Sequence, residues 1–120
     1  MIELTPEDHC FISDFNEQQR INFKINMEHG FEPDHDADYN VGEKIALMHS
    51  ELSEALEYLR KDNGPSDHIP DFSGAEEEFA DVIIRIMNTA QRLHLRVAEA
   101  MIAKQAFNAA RPFRHGNKKF

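Results

Sequence analysis

Apolar residues along this chain recur mostly at intervals of three and four, and Val, Ile and Thr rarely alternate with polar residues. That periodicity predicts helices rather than strands. Thr5 is an N-cap, Pro6 suits the first helical position, and Glu7 and Asp8 favour the positive end of the macrodipole, so a first helix opens there. It runs to about Glu28, where His29 and Gly30 stop it, with Phe11, Ile12, Phe15 and Ile25 in a broad, imperfect stripe. A second helix spans about Val41 to Arg60. Asn40 caps it, Glu43 completes a capping box, and Ile45, Met48, Leu52, Ala55, Leu56 and Leu59 form its main apolar face. A third opens on the capping box of Ser73 and Glu76 and carries Phe79, Val82, Ile83, Ile86, Met87, Ala90 and Leu93. No residue near His94 breaks it. Val97 to Ala110 is helical again, and Pro112 ends it. The stretches Phe31 to Asn40 and Asn63 to Phe72 are loops, the second holding Gly64, Pro65 and Pro70. The expected fold is all-α, with four or five helices.

At 120 residues the chain has the size of one domain spanning residues 1–120, its basic end at 114–120 ordering only on a ligand. No apolar run approaches the ~20 residues that cross a bilayer. The acidic start, Met1 to Asp8, has no secretory character, so a cytoplasmic location is expected. Cys10 has no internal disulfide partner and, beside Phe11 and Ile12, reads as a small buried side chain. The formal net charge of −9 argues against nucleic-acid polymers, which need broad basic surfaces. A small polyphosphate remains compatible, because a metal ion supplies positive charge locally. From Lys104 to Phe120 there are five cations and no acid, whereas the middle of the chain is acidic.

That acidic middle holds two tetrads, Glu51-Leu52-Ser53-Glu54 and Glu78-Phe79-Ala80-Asp81. Three residues apart on a helix, the acids of each pair stand on one side, roughly 60° from each other. Lys61 to Pro65 forms a turn between them, so two helices can bring four carboxylates together. Four oxygen ligands suit a hard cation such as Mg²⁺ or Mn²⁺. A solvated outer face would show the same spacing. Against that, Leu47 and Tyr58 flank the acids on the second helix, and Ala80 and Ile84 on the third, which predicts that this side is covered as well, by another subunit. Lys104, Asn108 and Arg111 share one face of the last helix, followed by Arg114, and suit phosphate groups; the competing reading is a basic C-terminus complementing its dipole. Asp34, Asp36 and Asp38 imitate half of a calcium loop, but Tyr39 stands where Gly is needed and Ile45 where Glu is needed. Glu32 and His35 have di-iron spacing in a loop that contains Pro33. The stretch is expected to be an acidic surface loop.

Together the tetrads, their surroundings from Ala46 to Glu57 and Glu77 to Arg85, and the ending from Lys104 to Gly116 resemble the MazG-like, all-α nucleoside triphosphate pyrophosphohydrolases. The family pattern is Glu-x-x-Glu, a spacer, then Glu-x-x-Asp, and the likeness covers about Val41 to Lys119. The resemblance implies a MazG-like bundle completed by self-association as a homodimer or homotetramer. It implies cleavage of a nucleoside triphosphate between the α- and β-phosphates, giving a monophosphate and pyrophosphate, for clearing or regulating nucleotide pools. Glu51, Glu54, Glu78 and Asp81 would hold Mg²⁺, or Mn²⁺, with Glu51 or Glu54 activating water. Lys104, Asn108, Arg111 and Arg114 would grip phosphates. Phe15, Gln19, Asn22 and Phe23 on the first helix would meet the base. The alternatives are a non-catalytic helical partner-binding module and an enzyme like phosphoribosyl-ATP pyrophosphohydrolase.

Overall fold

The computed structural model describes residues 3–113. It is all-helical: α1 is Pro6–Glu28, α2 Val41–Arg60, α3 Gly74–Leu93 and α4 Val97–Ala109, with one 3-10 turn at Asp36–Asp38. Local chemistry explains the starts. The Thr5 hydroxyl accepts from Asp8 N–H at 3.1 Å while the Asp8 carboxylate accepts from Thr5 N–H at 3.0 Å. Ser73 and Glu76 make the same reciprocal pair at the head of α3. Asn40 caps α2 through its Oδ1 alone, accepting from Glu43 N–H at 3.0 Å, so that box is only half formed. His94 ends α3 in the left-handed region at φ 58°, and Leu95 N–H bonds back to Ala90 O at 2.9 Å. This is the closure that glycine usually makes, carried by a histidine.

α3 is the central helix. α2 packs on it along its length, α1 packs on it elsewhere, and α4 packs against α1. The buried apolar set is small: Ala55, Ala75, Val82, Met87, Ala90, Ala98 and Ile102. Small residues let the backbones approach. A Cβ on Gly74 would lie 2.2 Å from the Tyr58 ring, so glycine is required where that ring lies against the first turn of α3.

The helical periodicity does not identify the buried face of α2. Of the expected main apolar face, Ala55 is buried and Met48 half-buried, but Ile45, Leu52, Leu56 and Leu59 are exposed, as are Phe79 and Ile83 on α3. The side bearing the acids is instead the one that meets α3, and no second subunit is needed to cover it. Cys10 is exposed rather than buried.

The loop after α1 is at the surface as expected, with Asp34, Asp36 and Asp38 exposed, but it is also pinned as a strap. Arg92 of α3 is buried beneath it, with Nη1 2.9 Å from Asp36 Oδ1 and Nη2 3.4 Å from Glu32 Oε2 and 2.5 Å from Pro33 O. Its guanidinium also lies 5.0 Å from the Phe23 ring centre and 5.3 Å from that of Tyr39. Glu32 is buried with it.

Candidate functional site

The connection between α2 and α3 is rigid, and this sets the facing of the two acidic tetrads. Asn63 takes a positive φ of 47° and accepts Ala75 N–H on its side chain at 3.0 Å. Gly74 N–H bonds Gly64 O at 2.8 Å, and Ser66 N–H bonds Phe72 O at 2.9 Å. Ser66 Oγ donates to Glu77 and accepts from the amides of His68 and Ile69. Glu77 also bonds His68 Nδ1 at 2.7 Å. These two partners hold the Glu77 carboxyl below the ordinary carboxylate range. Glu77, beside the tetrad, thus fixes the loop to α3 and leaves Glu78 to face α2.

Glu51 and Glu54 of α2 and Glu78 of α3 each place a carboxylate oxygen within 4.8 Å of the others. Glu78 is buried, Glu51 half-buried and Glu54 exposed. Glu78 Oε2 is sealed from solvent without a hydrogen-bond partner. Burial, then the neighbouring Glu51 and Glu54, pushes the Glu78 carboxyl up to about 8. Glu51 moves the other way, because Glu78 shares a hydrogen bond with it and Arg85 lies beside it, with Nη2 at 3.1 Å and Nε at 3.2 Å from Oε1. Without a cation, crowding of the carboxylates favours a proton on Glu78 and leaves Glu51 ionised. The residues fit a hard divalent ion: three carboxylates converge, and a buried oxygen lacks a donor.

Asp81, the fourth acid of the tetrads, stands outside this group of three. It lies half-buried on the wall of a cavity of about 410 Å³ shared with Glu51 and Arg85. Burial, then Glu51 and Glu77, raises its carboxyl above the usual range. Glu54 and Glu78 border a more open groove on the other side, with Tyr58, Asp67 and His68. Glu51 and Asp81 thus line the cavity, and Glu54 and Glu78 line the groove.

The other sequence-predicted residues lie elsewhere within one chain. Lys104 of α4 and Arg111, just past its end, lie over the Phe107 ring at 4.4 and 5.8 Å, and with Asn108 they are exposed; α4 packs against α1. None of the three lines the cavity or the groove. Gln19 is buried against Gln91 at 3.1 Å, Asn22 donates to the Met87 sulfur at 3.2 Å, and Phe15 packs on Phe11. Phe23 lies under Arg92. Within one chain these residues make packing contacts, and the helix-one residue that lines the cavity is Asn26. Arg114 lies outside the described residues. Sequence reasoning missed Arg85 as the cation held against Glu51, and missed Asn88 and Phe31 on the cavity wall. Arg85 follows Asp81 by one helical turn, which is the signal that could have found it.

A scan of protein-family models, a search of curated proteins and a search of solved structures each returned no match for this chain. The site therefore stands on its own geometry.

Proposed function

We propose that this chain is a Mg²⁺-dependent nucleoside triphosphate pyrophosphohydrolase of the MazG-like kind. The observation that carries the reading is the convergence of Glu51, Glu54 and Glu78 from two helices, beside a cavity that Arg85 borders. Glu51, Glu54 and Glu78 would hold the ion, with Asp81 close by on the cavity wall. Mn²⁺ would suit the same oxygen donors. When bound, the ion neutralises phosphate charge as it grows in the transition state.

The chain's own residues divide the remaining work. Glu51 is held by Arg85 and kept ionised, which suits a ligand better than a base. Glu54 is the most exposed of the three and, among the described residues, pairs with no arginine, so it is the group suited to orient water and take its proton. The water oxygen bonds to phosphorus, the bridging P–O bond between the α- and β-phosphates breaks, and pyrophosphate leaves with the electron pair. Arg85 meets negative charge on the cavity side.

Incubation of the chain with Mg²⁺ and a panel of ribo- and deoxyribonucleoside triphosphates tests this. At least one substrate should yield equal amounts of monophosphate and pyrophosphate, with no release after chelation. Release of orthophosphate alone, or of nothing from any nucleotide, would sink the reading.

The site also belongs to an assembly in this proposal. The exposed Leu52, Leu56, Leu59 and Ile83 are covered by a second copy, as a homodimer or a homotetramer, because monomers rarely leave such rows of large apolar side chains in water. The cations of α4 do not reach the acids of their own chain, so a partner's Lys104 and Arg111 serve them. Two variants, Glu78→Gln and the double Lys104→Ala/Arg111→Ala, should each be nearly inactive. Mixed and reassembled, they should regain about a quarter of native activity by random pairing, since one site in a mixed dimer has both sets of groups. Leu56→Lys with Ile83→Lys should sediment as a monomer. A native chain that sediments as a monomer with full activity contradicts the assembly.

A further inference from the structure

The cavity on the Glu51 side has walls that the carboxylates do not explain. Asn88 of α3 lines it, is 4% exposed, and has a sealed Oδ1 with no hydrogen-bond partner. A buried acceptor without a donor is costly, by about 1–3 kcal/mol. Oδ1 itself is turned into the protein, so the rest of the amide is what Asn88 offers to the cavity. Phe31 lies on the same wall with 70% of its surface exposed. Its position follows from the end of α1. Gly30 turns with φ 76°, and Phe31 N–H bonds back to Asn26 O at 2.8 Å, so the ring leaves the helix at the cavity. Tyr39 and Thr89 close another part of the wall through a 2.7 Å hydroxyl contact. The strap that carries Phe31 and Tyr39 is pinned by Arg92, so this wall is preformed.

The volume of about 410 Å³ lies within the range of small-ligand pockets, roughly 300–1,000 Å³. Its ligand must present a flat face to Phe31 and a hydrogen-bonding edge to the Asn88 amide. A nucleobase does both: every base has a π-face, and each has a hydrogen-bonding edge. A triphosphate held at the acids would direct its nucleoside across Arg85 into this space.

We propose that this cavity is the nucleobase subsite, with Phe31 stacking on the base and the Asn88 side-chain amide meeting its edge. The proposal rests on the pyrophosphohydrolase reading. It places base recognition on the strap and α3, where Phe15, Gln19 and Asn22 of α1 have no part.

The test compares the native chain with Phe31→Ala and Asn88→Leu on the nucleotide panel, with inorganic tripolyphosphate as a competitor that lacks a base. Phe31→Ala should raise KM about tenfold with kcat within about twofold, as expected for loss of one stacking contact. Asn88→Leu keeps the volume, removes an unpaired polar group, and should melt no lower than the native chain. It should also flatten the preference between the best and second-best base by about tenfold. The inhibition constant of tripolyphosphate should be unchanged in both variants. If the native chain releases pyrophosphate but Phe31→Ala keeps KM and base ranking unchanged, the subsite assignment is wrong and the enzymatic reading survives. If tripolyphosphate inhibition weakens as much as nucleotide binding, Phe31 acts on the phosphates and the assignment also fails. A native chain inert toward every nucleotide overturns both.

Discussion

Glu78→Gln should release pyrophosphate about 10²- to 10³-fold more slowly than the native chain, the scale of losing one preorganised electrostatic contact. In metal-free buffer the same variant should melt at a higher temperature than the native protein. Both results come from one feature. Glu78 is buried against Glu51 and Glu54, and its carboxyl is pushed up to about 8, from 4.5 in the unfolded chain. Between those values the folded chain holds a proton that the unfolded chain has released. The derivative of unfolding free energy with pH is then negative. The contribution to stability is fully present below pH 4.5, declines as pH rises, and is lost through pH 8. Glutamine has no proton to lose, so the decline should largely vanish in the variant, and its advantage should be greatest near pH 8.5. Thermal melts from pH 5 to 9, with and without Mg²⁺, would show this. Magnesium should raise the native melting temperature most at the alkaline end and should raise that of Glu78→Gln much less. Near pH 7, calorimetric titration of Mg²⁺ in buffers of different ionisation enthalpy should report a released proton. A native protein whose metal-free stability is flat across this range would contradict the proton on Glu78, and with it the claim that these carboxylates crowd each other.

Which parts of this arrangement were legible in the sequence follows from the range of the interactions. Thr5, Asn40 and Ser73 bond to amides three residues away, so short stretches of sequence reveal where α1, α2 and α3 begin. The tetrads are also local, and Glu51, Glu54 and Glu78 do meet once the turn is made. The face of α2 that is covered is not a local property. Ala55, at the edge of the expected stripe, is buried, but its large members Ile45, Leu52, Leu56 and Leu59 are not; α3 meets α2 around Ala55 and Tyr58, where Gly74 and Ala75 allow close approach. The end of α3 was illegible for a different reason. His94 occupies a conformation that glycine adopts more readily, and no sequence rule singles out that histidine. The strap was hidden by distance along the chain, since Glu32 and Asp36 read as solvated acids until Arg92 folds beneath them.

Arg92→Met should cost about 3–5 kcal/mol, because it leaves Glu32 buried without its cation. For a domain of this size that corresponds to a fall in melting temperature of roughly 10–20 °C. The two acids around Arg92 predict unequal effects of their own. The Asp36 side chain is 80% exposed, whereas that of Glu32 is 3% exposed. Asp36→Ala should therefore cost less than about 1 kcal/mol, as exposed pairs do, despite its shorter contact of 2.9 Å. The double variant Arg92→Met/Glu32→Leu separates burial of an unpaired charge from simple loss of contacts. It removes both ions and fills the space with apolar side chains, so it should recover much of the stability lost in Arg92→Met. Equal melting temperatures for the single and the double variants would mean that the stranded carboxylate is not the cause. The strap also carries Tyr39, whose ring lies over the Arg92 guanidinium and whose hydroxyl meets Thr89 on the cavity wall. A chain that keeps its helices but loses the strap should bind nucleotides more weakly while holding Mg²⁺ as before, since Glu51, Glu54 and Glu78 are carried by α2 and α3 alone.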